Sequence, residues 1–206
     1  AMFQRHGGLD LPALINADDE AALTATEHAQ PVLFATGYAM CMAWKALGLT
    51  PSALLGHSIG ELLSACVAGI FSLEDGVRLV CARARLMQAA APGAMLAVFL
   101  PEQDLQPLLG NGVELAAING PSTCVASGGL AQIDALQAQL AGRGIGVRRL
   151  HTSHAFHSAF MEATARQFAE VVRGVPLAPP AIPVISNVSG KVLTDAEATS
   201  PEYWAR

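Results

Sequence analysis

The sequence predicts a mixed α/β protein in which a larger body is interrupted by a small βαββαβ unit. Three observations predict it. A Gly56-His57-Ser58-Ile59-Gly60 turn separates a short apolar run from a helix-like one, the signature of a tight strand-to-helix connection. Residues 94–151 change character, with short β-type runs alternating with two helix-like stretches. Hydrophobic residues make up 52% of the 206 and charged ones only 14%, a balance suited to a buried sheet under helical cover and not to a disordered chain. The expected divisions are 1–92 for the first part of the body, 93–152 for the small unit and 153–206 for the second part.

The elements follow in order. Ala1 to Glu27 is mixed and loop-like, and Glu27 to Leu47 is the first strong helix. Its apolar stretch, Pro31 to Leu49, is broken by Thr36, Lys45 and two glycines, so it predicts a buried helix and not a membrane span. No signal-peptide pattern precedes it, and the expected location is cytoplasmic. Pro51 to Leu55 predicts a buried strand, and Ile59 to Ala68 a helix ending at Gly69. Ser72, with Asp75 three residues on, offers an N-cap for a helix from Leu73 to Ala91 that Pro92-Gly93 closes.

The small unit begins with Ala94 to Leu100 as an alternating strand and Glu102 to Leu109 as a short helix. Strands at Glu114 to Asn119 and Thr123 to Ser127 are joined at Gly120-Pro121. An amphipathic helix, Leu130 to Ala141, and a strand, Gly146 to His151, complete a split-βαβ, ferredoxin-like order. The body resumes with a helix from Ser158 to Val172 and strands around Ile182 to Asn187 and Lys191 to Leu193. Pro176, Pro179, Pro180 and Pro183 form a rigid connector.

The GxSxG run gives the body an α/β-hydrolase-like character. Ser58 is expected on a sharp turn with its hydroxyl projecting from the sheet edge, and Gly56 and Gly60 relieve backbone and helix packing there. The Ile59 N–H then starts a helix and can donate to an oxyanion. A serine hydroxyl needs a base. His157, in Ser153-His154-Ala155-Phe156-His157-Ser158, lies four residues before Met161 on the inward stripe of the next helix. Its N-terminal dipole would keep the imidazole neutral and basic. The competing role for His157 is a buried histidine holding a backbone carbonyl, and His154 is either a pocket wall or an ordinary loop residue.

Arg78 and Arg85 are expected on the solvated face of the helix from Leu73, with Glu74 pairing Arg78 at i,i+4. Arg83 falls instead on the inward stripe of Leu79, Val80 and Met87. A buried guanidinium requires an anion, either one of the chain's own carboxylates or a substrate carboxylate held bidentately. Net charge is −5 with no basic cluster, which argues against nucleic acid. Cys41, Cys66, Cys81 and Cys124 are scattered in apolar runs without metal-ligand spacing, so reduced cysteines and no metal are expected. His6 and His28 fall in polar segments and take no role.

Four runs in order then resemble the acyltransferase domains of modular type I polyketide synthases, relatives of malonyl-CoA:acyl-carrier-protein transacylases. They are Gly-His-Ser-Ile-Gly-Glu (56–61), Arg-Ala-Arg-Leu-Met-Gln (83–88), Ala-Ile-Asn-Gly-Pro (117–121) and Ser-His-Ala-Phe-His-Ser (153–158). The resemblance spans nearly the whole chain. It implies a malonyl-Ser58 ester formed from malonyl-CoA with His157 as base, then transfer to the phosphopantetheine thiol of an acyl carrier protein. No cofactor of the chain's own is involved. It implies Arg83 as the malonyl carboxylate clamp, with His57, His154, Phe156 and Asn119 lining the substrate site. Asn187, in Ile-Ser-Asn-Val-Ser, belongs to the segment whose backbone carbonyl orients the histidine. His154-Ala155-Phe156-His157 resembles the malonyl-selective version of the motif, Phe156 filling space that a serine would leave for a methyl group.

The family's Gly-Gln-Gly segment, whose glutamine supplies part of the oxyanion hole, has no counterpart before Ser58, and the family continues past Tyr203-Trp204-Ala205-Arg206. The expectation is therefore a piece of a larger multidomain protein, with ketosynthase and other domains as neighbours and no membrane partner. Rival functions are an acyl hydrolase on the same scaffold, which would leave Arg83 without a partner, an α/β-hydrolase esterase with a triad acid, and a catalytically silent domain.

Overall fold

The computed structural model describes residues 1–206 as a mixed α/β chain that divides into two compact units, Ala1–Leu86 with Ala165–Arg206, and Met87–Thr164. The second unit starts before the 93–152 expected from sequence and ends after it. Hydrogen bonding explains the later end. Gly93 N–H donates to Ser153 C=O (2.9 Å), Pro92 bridges His154, and Ala159 N–H donates to a Glu114 carboxylate oxygen (3.1 Å), which ties the segment after residue 152 to this unit.

The first unit opens with three short helices, α1 (Met2–Gly7), α2 (Leu11–Asn16) and α3 (Glu20–Thr24), where the sequence suggested loop. Each spans too few residues to show an apolar period. What starts the last two is capping: Asp10 accepts from Ala13 N–H (3.0 Å) and Asp19 from Ala22 N–H (2.9 Å). The long helix α4 (Thr26–Ala46) buries one stripe, Thr26, Gln30 and Phe34, at helical spacing. The helix expected to be buried is so only along that stripe, since Leu33, Met40 and Trp44 are exposed. No helix is long and apolar enough to cross a membrane.

Strand β1 comprises only Leu54–Leu55, and Leu55 is 75% exposed, so the expected buried five-residue strand is short and half-open. Helix α5 (Ile59–Val67) follows the elbow and stops at Gly69, whose φ of +80° suits a residue without Cβ. Ser72 caps helix α6 (Leu73–Gln88) as predicted: its hydroxyl accepts from Asp75 N–H (3.1 Å) and donates to the Asp75 carboxylate (2.6 Å). The expected Glu74–Arg78 pair does not form. Glu74 pairs with Arg5 (2.7 Å) and His6 (3.2 Å), and Arg78 reaches Asp75 (3.4 Å) and the Gly174 carbonyl. His28 is likewise engaged, with Nδ1 2.8 Å from the Ala22 carbonyl.

The core of this unit gathers Phe34, Leu62, Ile70, Val77, Leu79, Val80, Phe168, Val172, Val184 and Trp204. Burying such side chains contributes about 1.5–3 kcal/mol each.

The second unit is a four-stranded antiparallel sheet in the order β3-β4-β2-β5, with β2 at Ala94–Val98, β3 at Val113–Gly120, β4 at Thr123–Gly128 and β5 at Val147–Arg149. Helix α7 (Glu102–Leu105) connects β2 to β3 and gives way to a 3-10 turn where Pro107 interrupts it. Helix α8 (Leu130–Gly142) connects β4 to β5. All five residues of β2 are buried, which corrects the alternating pattern read from the sequence; the strand is hydrogen-bonded on both sides, to β4 and β5. α8 presents Ile133, Leu136 and Leu140 to a core with Leu96, Val98, Leu105 and Cys124.

The body's last elements are α9 (Glu162–Arg173), strand β6 (Val184–Ile185), α10 (Asp195–Ala198) and α11 (Pro201–Trp204). β6 runs parallel to β1, with Leu54 opposite Val184 and Leu55 opposite Ile185. Val192 makes a single bridge to Ile185 in place of the strand expected at Lys191 to Leu193. The four cysteines are free, with Cys66, Cys81 and Cys124 buried.

Candidate active site

The elbow at Ser58 joins β1 to α5 with no spare backbone. Ser58 adopts φ +52°, ψ −112°, a conformation costly for any residue with a side chain. Gly56 is required there, since a Cβ would sit 1.9 Å from the Gly60 carbonyl oxygen. Gly60 is not: a Cβ at that position meets nothing within 4 Å, which corrects the packing role expected for it. The turn is closed by Gly60 N–H to His57 C=O and Glu61 N–H to Ser58 C=O, both 2.9 Å. Ile59 is the first helical residue, and a first-turn N–H has no acceptor within its own helix. His57 is exposed beside it.

Arg83 points inward from α6, as its place on the apolar stripe required. Its guanidinium donates to Ser58 Oγ (3.3 Å) and to Gln30 Oε1. Both acceptors are neutral oxygens, so the internal carboxylate weighed from the sequence is not what holds it. Burial pushes its pKa down to about 10, which still leaves it protonated at neutral pH. Gln30 is itself buried on the α4 stripe, with its amide donating to Thr26 Oγ1 (2.8 Å). Sequence reasoning missed Gln30. The available signal was a polar pair, Thr26 and Gln30, at the i,i+4 spacing that leads to Phe34.

Asn187, directly after β6, meets the elbow through its side chain. Oδ1 accepts from Ser58 N–H (2.9 Å) and Nδ2 donates to Gly56 C=O (2.6 Å). Its own N–H donates to Glu61 Oε1 (2.9 Å), which also takes the Tyr203 phenol proton (2.5 Å). Burial raises the Glu61 pKa, with the bonds from Tyr203 and Asn187 opposing. Burial, first, and the neighbouring Glu61 carboxylate push the Tyr203 phenol upward. Ser58, Arg83 and Asn187, chosen from sequence, are therefore brought together within the first unit, and Gln30, Glu61 and Tyr203 join them.

The remaining candidates, Asn119, His154, Phe156 and His157, belong to the second unit. His154 is buried, lies 2.8 Å from Ser153 Oγ through Nδ1, and stacks on Phe156 with ring centroids 5.7 Å apart. His157 is exposed and has φ +55°. It directly precedes the helical run expected from about Ser158: a 3-10 first turn, Ala159–Met161 with Ser158 as N-cap, continues without a break into α9. Local bonding fixes the start of that run. Ser158 Oγ donates to Ala155 C=O (2.7 Å), and Ala159 N–H is taken by Glu114. Asn119 is exposed near the end of β3, within the register shift between Ile118 and Gly120.

The acyl transferase domain family matches residues 1–206. Among curated proteins the chain is 46% identical over 205 residues to the mycoketide-CoA synthase of Mycobacterium tuberculosis, covering 99% of this chain and 5% of that protein. It is 44% identical over 204 residues to the phenolphthiocerol synthesis polyketide synthase type I Pks15/1 of Mycobacterium marinum, covering 98% of this chain and 10% of that protein. The chain thus spans a small part of these relatives' length. Among solved structures it matches the acyl transferase domain of SpnD in complex with 2-(pent-4-yn-1-yl)malonyl, at TM-score 0.93 and 35% identity, covering 99% of this chain and 49% of that one. It also matches the malonyl CoA-acyl carrier protein transacylase of Burkholderia pseudomallei, at TM-score 0.91 and 33% identity, covering 99% of this chain and 72% of that one.

Proposed function

Since the chain belongs to the acyl transferase domain family, we propose that it transfers a malonyl group from malonyl-CoA, through an ester on Ser58, to the phosphopantetheine thiol of an acyl carrier protein within a polyketide synthase. The observation that carries this reading is Arg83, a half-buried cation bonded to Ser58 Oγ and to Gln30, both neutral. A substrate with a free carboxylate next to its thioester satisfies that cation and places the carbonyl near the serine; an acetyl or simple fatty acyl group does not.

In the proposed steps His157 takes the Ser58 proton as Oγ attacks the thioester carbonyl. The Ile59 N–H stabilises the oxyanion, since a donor of this type is worth about 10²–10³ in rate. The carbon–sulfur bond breaks, His157 returns the proton to the departing CoA thiolate, and malonyl-Ser58 remains. The carrier thiol then gives its proton to His157, attacks the ester carbonyl and displaces Ser58, which recovers the proton. The Asn187 backbone carbonyl orients His157, while His57, His154, Phe156 and Asn119 shape the substrate site. Phe156, backed by the His154 ring, selects malonyl over methylmalonyl. One methyl group in a pocket is worth about 1–3 kcal/mol, so the preference is breakable by mutation.

The reaction needs no metal or cofactor of the chain's own. The finer architecture we infer is an α/β-hydrolase-like body carrying a ferredoxin-like insertion, supported by the elbow and by the β3-β4-β2-β5 strand order. The setting is the cytoplasm, beside ketosynthase and other domains of one multidomain enzyme.

The test is acylation by malonyl-CoA and acetyl-CoA on the parent and on Arg83→Ala. Losing hydrogen bonds to a charged group costs about 1.5–3 kcal/mol, so malonylation is expected to fall about 10- to 100-fold with acetylation little changed. Equal losses for both donors would remove the clamp from the account.

A further inference from the structure

We propose that the Asn187 side chain is the positioning group that holds the Ser58 backbone in its left-handed conformation, and that Glu61 and Tyr203 hold Asn187 in turn. This rests on the reading of Ser58 as the nucleophile. A serine at φ +52° is strained and persists only where its surroundings over-determine it. Asn187 supplies that constraint from 129 residues away in sequence. Its carboxamide grips both sides of the elbow, accepting from Ser58 N–H at 2.9 Å and donating to Gly56 C=O at 2.6 Å. The amide orientation is forced, because a flipped group would set donor against donor and acceptor against acceptor.

The clamp is itself anchored. Glu61, in the first turn of α5, accepts from Asn187 N–H at 2.9 Å, so the end of β6 and the start of α5 are locked in one ring of bonds. Tyr203 Oη lies 2.5 Å from Glu61 and 2.7 Å from Ser186 Oγ. A phenol has one proton, which goes to the carboxylate. Ser186 Oγ accepts from Val188 and Ser189 N–H (3.1 Å each), leaving its own proton for Tyr203. One consequence is chemical. Because Asn187 occupies the Ser58 N–H, the elbow's donor to an oxyanion is Ile59 N–H and not Ser58 N–H.

The experiment compares the parent chain with Asn187→Ala and Tyr203→Phe by three readouts. These are the rate of Ser58 labelling by a fluorophosphonate, which needs no malonyl recognition; amide hydrogen exchange at Ser58; and kcat against KM for malonyl transfer. Loss of both hydrogen bonds is expected to slow labelling about 5- to 150-fold in folded Asn187→Ala. Ser58 exchange should accelerate, and kcat should fall with KM unchanged. Tyr203→Phe is expected to move all three in the same direction by a smaller factor, and it decides the matter if Asn187→Ala does not fold. Labelling within twofold of the parent and unchanged Ser58 exchange would overturn the proposal, whatever the acyl donor proves to be. Slowed labelling in a chain that accepts no malonyl group would uphold the clamp and discard the malonyl reading.

Discussion

At the scale of single residues, charge and burial decide what the site accepts. Arg83 keeps its proton at neutral pH although burial lowers its pKa to about 10, and the oxygens it touches on Gln30 and Ser58 are neutral. Glu61 is the complementary case, an acid whose pKa burial raises from the ordinary 4.5. An acid raised in the folded state binds its proton more tightly there than when unfolded. Its contribution therefore favours folding below the ordinary value and is lost as pH rises through the raised one. Glu61→Gln keeps an acceptor for Tyr203 and Asn187 without titrating. The stability of the parent relative to this variant should fall as pH rises above the ordinary 4.5, read from urea midpoints at each pH. A relative stability that rises over that range would show that the bonds from Tyr203 and Asn187 outweigh burial.

Among the elements, those with a long apolar period are legible in the sequence and the short ones are not. α5, α6 and α8 stand close to where their apolar spacing and caps put them, and the β3–β4 hairpin turns where Gly120-Pro121 says it should. α1, α2 and α3 escape detection because Asp caps and not an apolar stripe define two of them. β1 and β6 are two residues each, too short for any pattern. Arg83 could be found because an inward stripe is local, whereas the Asn187 and Tyr203 bonds to the elbow join residues 126 to 142 apart and leave no local trace. The elbow supplies a sharp contrast between its two glycines. Gly56→Ala drives a Cβ into the Gly60 carbonyl, so a loss of more than about 3 kcal/mol or failure to fold is expected. Gly60→Ala has open space within a helix and should be neutral or stabilising by up to about 1 kcal/mol. Equal thermal midpoints for the two variants would contradict this account of the turn.

For the molecule as a whole, two units with separate apolar cores carry the chemistry proposed for the chain. Ser58 and its clamp residues belong to the first unit, and His157 and Phe156 to the second. The sequence placed the second unit's edges too narrowly, because the bonds of Gly93 and Ala159 that extend it are made between segments distant in the chain. The central claim is that Ser58 carries a malonyl group, and intact-protein mass after brief incubation with malonyl-CoA tests it most directly. The account predicts a malonyl-sized adduct on the parent, none on Ser58→Ala, and its discharge by the thiol of a phosphopantetheine-bearing carrier protein. An adduct that persists in Ser58→Ala, or a preference for acetyl-CoA, would contradict it.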